Sequence, residues 1–229
     1  MTTALTGSDS PAKPPTRRFF SSDPSVILLA ATVVVAVAVA PFELSKLFGL
    51  PAHALFLHVP VVLVPILAGV VIALAVRPVW RVRYGLAAGV FGIVTMAATI
   101  LTAGAGEKLR DERMQRMGRL RPGGAPAGGP GGRPGSAPRQ GGGGEGNLLD
   151  RHAELGSQLR LLVLALVVLL VVLVILARYR ALTAAEGFLA GPALGTVVAA
   201  LAVVAAVVSA IWVVRTGHLG AEMTWHEGD

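Results

Sequence analysis

The stretch LLVLALVVLLVVLVILA, Leu161–Ala177, contains no charged, polar or glycine residue. It has no polar face to turn toward water, so it is not the pattern of an amphipathic surface helix. A hydrocarbon core takes roughly 17–25 residues of helix, and this run sits at the short end of that range. In lipid the backbone groups must pair within their own segment, so an α-helix is expected despite the many β-branched valines. Four more apolar runs share its character: Val26–Phe42, Ala54–Val76, Tyr84–Ala105 and Gly187–Val214. Pro60 and Pro65 shape the start of the second of these, and Pro192 lies near the start of the last. Only 14% of the 229 residues are charged, where a soluble domain carries about 25%. The expected fold is an all-α integral membrane protein. A bundle of four transmembrane helices (54–76, 84–105, 161–177 and 187–214) forms a domain over 51–229, with one extra N-terminal transmembrane helix over 26–42.

The segments between these runs are of two kinds. Residues 1–25 are polar, with Pro11, Pro14, Pro15 and the pair Arg17-Arg18, and are expected to be a disordered cytoplasmic tail. Thr16–Phe20 resembles a twin-arginine export signal, although a cytoplasmic anchor flank is the plainer account. Ala38-Val39-Ala40 has the small residues of a cleavage site, but Pro41 follows it, so the first helix is expected to stay uncleaved. Residues 118–146 are dominated by glycine, with prolines at every fourth position from Pro122 to Pro138, and are expected to be a disordered tether. The charged flanks Gly106–Met117 and Asn147–Arg160 are helix-permissive and should extend the third and fourth helices out of the membrane. Gly85 and Gly89, like Gly187, Gly191 and Gly195, recur at a spacing that lets helices approach closely.

Arginine sets the expected orientation. Lys13, Arg17, Arg18, Arg77, Arg81, Arg83, Arg178 and Arg180 all fall on one side of the membrane, against Lys46 and Arg215 on the other. The long loop adds further arginines to the second side, but long loops obey the positive-inside rule weakly. The N-terminus is therefore expected in the cytoplasm and the C-terminus outside. The net charge of +7 reads as topology signal and linker, and nothing calls for a nucleic-acid partner.

The same count places all five histidines in one layer at the extracytoplasmic side. His53 and His58 precede the second helix, with Pro60 suited to its first turn. His152 precedes the fourth helix, beside Glu154, and Glu107 follows the third. Either carboxylate could orient a ligating imidazole. His218, Glu222 and His226 share a face if the last helix continues through them. The plainer alternatives are a helix cap at His58, a headgroup position for His53 and solvated flank charge around His152. Ionisable groups at a membrane are costly and tend to be functional, which favours a metal or haem site. The absence of cysteine excludes disulfides, thiolate iron–sulfur ligation and covalent c-type haem attachment. No nucleophile elbow, phosphate loop or hydrolase carboxylate pair is present, so no catalytic residue is expected. Trp212 and Trp225 suit the membrane interface.

Three motifs in this order resemble the bacterial membrane family called domain of unknown function 2231. His53, His58 and Pro60 match its first element, and His152, Leu155 and Gly156 its second. Thr216, Gly217, Leu219 and Gly220 match its third, with Trp225 and His226 near the expected end. Ala54 and Ala221 depart from the pattern, the terminal element is shifted by one residue, and the first helix and glycine-rich loop are additions. The resemblance covers roughly residues 51–229. It implies a bacterial plasma-membrane protein in a redox setting, since related proteins occur beside Rieske-type or cytochrome c modules.

Three functions remain open from the sequence. One is a haem b electron-transfer or redox-sensing subunit ligated by His58 and His152, with His53 and His218 in reserve. Another is a divalent zinc or copper site drawn from His53, His58, His152, His218 and His226, with Glu107, Glu154 or Glu222. The third is a cofactor-free structural or assembly subunit. The expected partners are the lipid bilayer, a redox protein and a second copy of the chain.

Overall fold

The computed structural model describes residues 19–20, 23–41, 46–47, 50–51, 58–119, 145–183 and 187–226. Five helices carry the fold: α1 (Pro24–Val39), α2 (His58–Val76), α3 (Pro78–Arg119), α4 (Glu145–Leu182) and α5 (Pro192–His226). Two-residue strands β1 (Lys46–Leu47) and β2 (Leu50–Pro51) pair antiparallel between α1 and α2. The helices α2 to α5 are each long and apolar enough to cross a membrane. α1 is shorter, at 16 residues, or about 24 Å at 1.5 Å per residue. The expected all-α membrane fold is thus present, as four long helices and one short apolar helix.

Each long helix packs against its two neighbours in the bundle: α2 on α3, α3 on α4, α4 on α5 and α5 back on α2. α1 lies outside this ring on α3 and α4. The core is a ladder of branched side chains from α2 and α4, with Val64, Leu67 and Val71 facing inward alongside Val163, Leu166, Val167 and Leu170. Met96 of α3 and Ala202, Ala206 and Val213 of α5 complete it. Buried hydroxyls are tolerated because each of several threonines bonds within its own helix. Thr95 donates to the Phe91 carbonyl at 2.9 Å, Thr99 to Thr95 at 2.8 Å and Thr216 to Trp212 at 2.8 Å.

The small residues of α3 set its spacing from two neighbours at once. A Cβ on Gly85 would lie 2.7 Å from Val174 of α4, and one on Gly89 would lie 2.8 Å from Leu28 of α1. The second glycine series behaves differently. Pro192 begins α5, so Gly187 and Gly191 lie in the connection before it, and Gly187 has a left-handed φ of 109°. Gly195 is in the helix, but what approaches it is the Arg180 guanidinium rather than another helix.

Several expected boundaries move. The last span starts at Pro192 rather than 187, because Pro at a first helical position fits the fixed φ and missing N–H. The second is described from His58, with Pro60 near that point, and residues 54–57 of the expected span lie outside the described residues. α3 and α4 run beyond the expected 84–105 and 161–177, through the charged flanks that were expected to extend them. Of the loop expected over 118–146, residues 118–119 and 145–146 are helical, and residues 120–144 lie outside the described residues.

The expected disordered tail over 1–25 also needs correction at its end. Phe19 is buried against Tyr179, with ring centroids 5.3 Å apart. Asp23 caps α1, accepting from the Ser25 amide at 2.9 Å, and Pro24 opens the helix. Arg178 grips the same carboxylate through Nε and Nη2, at 3.0 and 2.9 Å. Phe19, Phe20 and Asp23 are therefore placed against the bundle, and residues 1–18 and 21–22 lie outside the described residues. Burial pushes the Asp23 carboxyl up. Hydrogen bonds from Arg178 and Ser25, with the Arg178 charge, outweigh this and hold it below the ordinary carboxylate value.

Arg81 and Arg180 are not merely solvated flanks either. Arg81 is buried and folds back to donate to the Leu74 and Ala75 carbonyls at 2.8 and 2.5 Å, closing the end of α2. Arg180 donates to the Gly191 carbonyl ahead of α5. These contacts define the arginine end of the bundle.

Candidate functional site at the histidine end

The opposite end gathers the three sequence motifs. α2 and α5 run antiparallel, and a Cβ on Gly217 would touch Val61 at 4.0 Å. His58 lies one turn outward from Val61, and Gly220 one turn outward from Gly217. The two therefore stand at one height. α4 reaches the same place from its own side: a Cβ on Gly220 would lie 3.1 Å from Cε1 of the His152 imidazole. The absence of a side chain at Gly220 thus makes room for that ring. His58 of α2 and His152 of α4 flank the Thr216–Gly220 segment of α5 at a common level.

Their environments differ. His152 is half-buried, whereas His58 and His218 are exposed. α5 continues helically to His226, so His218, Glu222 and His226 do share a face, and Glu222 is exposed. His53 lies outside the described residues, as does the side chain of His226.

The carboxylates expected to orient imidazoles have other neighbours in the structure. Glu107 approaches Arg160 at 3.9 Å, and Glu154 accepts from the Gln158 amide at 3.2 Å on its own helix. Further out, Arg110 and Asp150 join the projecting parts of α3 and α4 at 2.6 Å. Gln158 was not singled out by the sequence, yet its Oε1 accepts from the Trp212 indole at 2.9 Å, linking α4 to α5. Trp212 therefore has a specific partner in addition to its interfacial position. Its ring also carries the Arg215 guanidinium, 5.2 Å from the centroid.

Among the described side chains, this end offers one half-buried imidazole and two exposed ones. Among the described residues no three histidine, aspartate or glutamate side chains gather to hold a metal ion. Neutral imidazole is a donor type that haem iron, zinc and copper all accept. No curated relative and no solved structure matches the chain significantly. One family pattern does, described as a predicted membrane protein and extending over residues 49–228. With α2 to α5 and all three motifs inside that range, the chain belongs to this membrane protein family, DUF2231.

Proposed function

We propose that the histidine end is the working end of this membrane protein, holding haem b in an electron-transfer or redox-associated role or, as the alternative, a divalent zinc or copper ion. His152 is the anchor ligand, with His58 its first partner and His53 and His218 in reserve. The observation that supports this most is the approach of His152 to Gly220, whose Cβ would lie 3.1 Å from the ring, with His58 at a similar height by the register of Val61 against Gly217. Imidazole suits haem iron, zinc and copper alike. Haem iron or copper, when bound, would supply redox chemistry, whereas zinc would serve as a fixed charge. The chain would supply the ligand and, through Gly220, its position.

The test is the visible spectrum of the full chain purified after expression with haem supply, oxidised and reduced, together with metal analysis. A Soret band or a stoichiometric metal that disappears in His152→Ala is the expected result. A colourless, metal-free protein rejects the reading. A second reading, a cofactor-free assembly subunit, is favoured by the packing of His152 on Gly220 and by the Glu107–Arg160 and Glu154–Gln158 contacts. It predicts that replacing all five histidines leaves bound-metal content unchanged, with any loss in thermal unfolding traceable to the His152 packing alone.

A further inference from the structure

The two flanks of the bundle are unequally covered. α1 lies over the α3/α4 flank, with Leu28 seated at Gly89. The α2/α5 flank has no such cover among the described residues, and it carries a shallow groove of about 520 Å³. Pro65, Gly69 and Ile72 line one wall, Val207 and Ile211 the other, and Arg215 stands at the end nearer the histidines. The groove exists partly because Gly69 contributes no side chain; a Cβ there would meet nothing within 4 Å. From Val207 to Arg215 it follows α5 for about 12 Å, enough to hold part of an acyl chain.

Arg215 gives this apolar groove a charged end. It is exposed, and its described contact is the face of Trp212. The ion pairs described at this end join Arg110 to Asp150 and Arg160 to Glu107, so Arg215 belongs to neither. A ring contact holds a guanidinium in place without neutralising it. The Trp212–Gln158 hydrogen bond in turn holds the ring. Glu222, the next carboxylate along α5, is two turns further out.

We propose that the α2/α5 groove binds an anionic phospholipid, with one acyl chain along Pro65, Gly69 and Ile211 and the phosphate on Arg215. A guanidinium presents paired N–H donors that match phosphate oxygens, and its weak hydration suits the interface. A zwitterionic lipid would fill the groove equally well, but its own cation would compete for the phosphate. The charge at Arg215 therefore supplies headgroup preference and the groove supplies chain binding.

Native mass spectrometry of the full chain, with phosphatidylglycerol and phosphatidylcholine of identical chains in competition, tests this. Phosphatidylglycerol should be retained about fivefold over phosphatidylcholine, the weight of one basic side chain at an anionic surface. Arg215→Gln should abolish the preference and leave phosphatidylcholine retention unchanged. Gly69→Leu, which has room to fold, should reduce retention of both. Arg83→Gln, exposed at the other end, should keep the preference. No preference in the wild type, a preference that survives Arg215→Gln, or equal loss in Arg83→Gln would overturn the proposal. So would a wild-type dimer that Gly69→Leu dissociates, since the groove would then be filled by a second copy.

Discussion

The two ends of this bundle both collect charge, but they use it differently. At the arginine end, Arg178 closes on Asp23, Arg81 on the last carbonyls of α2 and Arg180 on the carbonyl of Gly191. Arg178 and Asp23 are 15% and 5% exposed, so their bridge is largely withdrawn from water. At the histidine end, Arg110 and Asp150 are 39% and 59% exposed, and His58, His218 and Arg215 face outward. One end uses its cations to terminate helices and attach α1. The other leaves imidazoles and a guanidinium exposed.

The buried bridge should give the largest effect. Asp23→Ala leaves Arg178 without its carboxylate and removes the cap of α1, and should cost about 3 kcal/mol in unfolding free energy. Arg110→Ala breaks a shorter contact, yet one in solvent, and should cost less than about 1 kcal/mol. Denaturant or thermal unfolding in one detergent measures both, and equal losses would break the contrast between the ends. The pH dependence sharpens it. The folded-state value of Asp23 lies below the unfolded one, so its stabilisation is complete above the unfolded range, near pH 4. It is lost as the pH falls through the lower folded value. The stability gap between wild type and Asp23→Asn should therefore narrow on acidification below about pH 4, and a gap that widens would refute the assignment.

Packing gives the next largest difference. Gly85→Ala forces a methyl against the branched Val174 of α4, at 2.7 Å, and should cost about 1–3 kcal/mol. Gly217→Ala meets only Val61, at 4.0 Å, and should be neutral or stabilising by up to about 1 kcal/mol through helix propensity. The same unfolding assay compares the two. A destabilised Gly217→Ala would mean that the histidine end is packed as tightly as α3 is around Gly85.

How far the sequence reveals this depends on whether a signal is local. Leu161–Ala177 announces a membrane helix from composition alone, because lipid leaves the backbone no other solution. The charged flanks that lengthen α3 and α4 were legible for a similar reason, being helix-permissive over a long window. The alignment of the histidine motifs at one end follows from counting membrane crossings. What could not be read is contact between distant residues. Arg178 reads as a topology flag until Asp23, 155 positions away, is seen to hold it. Asp23-Pro24 did carry a local signal, an N-cap before a first-turn proline, which marks where α1 begins. The glycine repeat ahead of α5 misled because its spacing is that of a helix face, while Pro192 delays the helix past two of its members. Exposure was equally hidden: nothing in the spacing distinguishes His152, half-buried on Gly220, from His58 or His218.

The smallest test concerns the neutral Trp212–Gln158 bond that joins α5 to α4 at the histidine end. Trp212→Phe keeps an aromatic platform for Arg215 but removes the indole donor that Gln158 accepts at 2.9 Å. The expected loss is about 1 kcal/mol, since Gln158 retains some access to water at this level. Gln158→Leu added to Trp212→Phe should restore part of that loss, because an amide left without its partner is then no longer held in the seam. Thermal unfolding of the two single variants and the double variant measures the coupling. A loss from Trp212→Phe as large as that from Asp23→Ala would show that both ends are closed by buried polar contacts. The histidine end would then be no more open to a ligand than the arginine end.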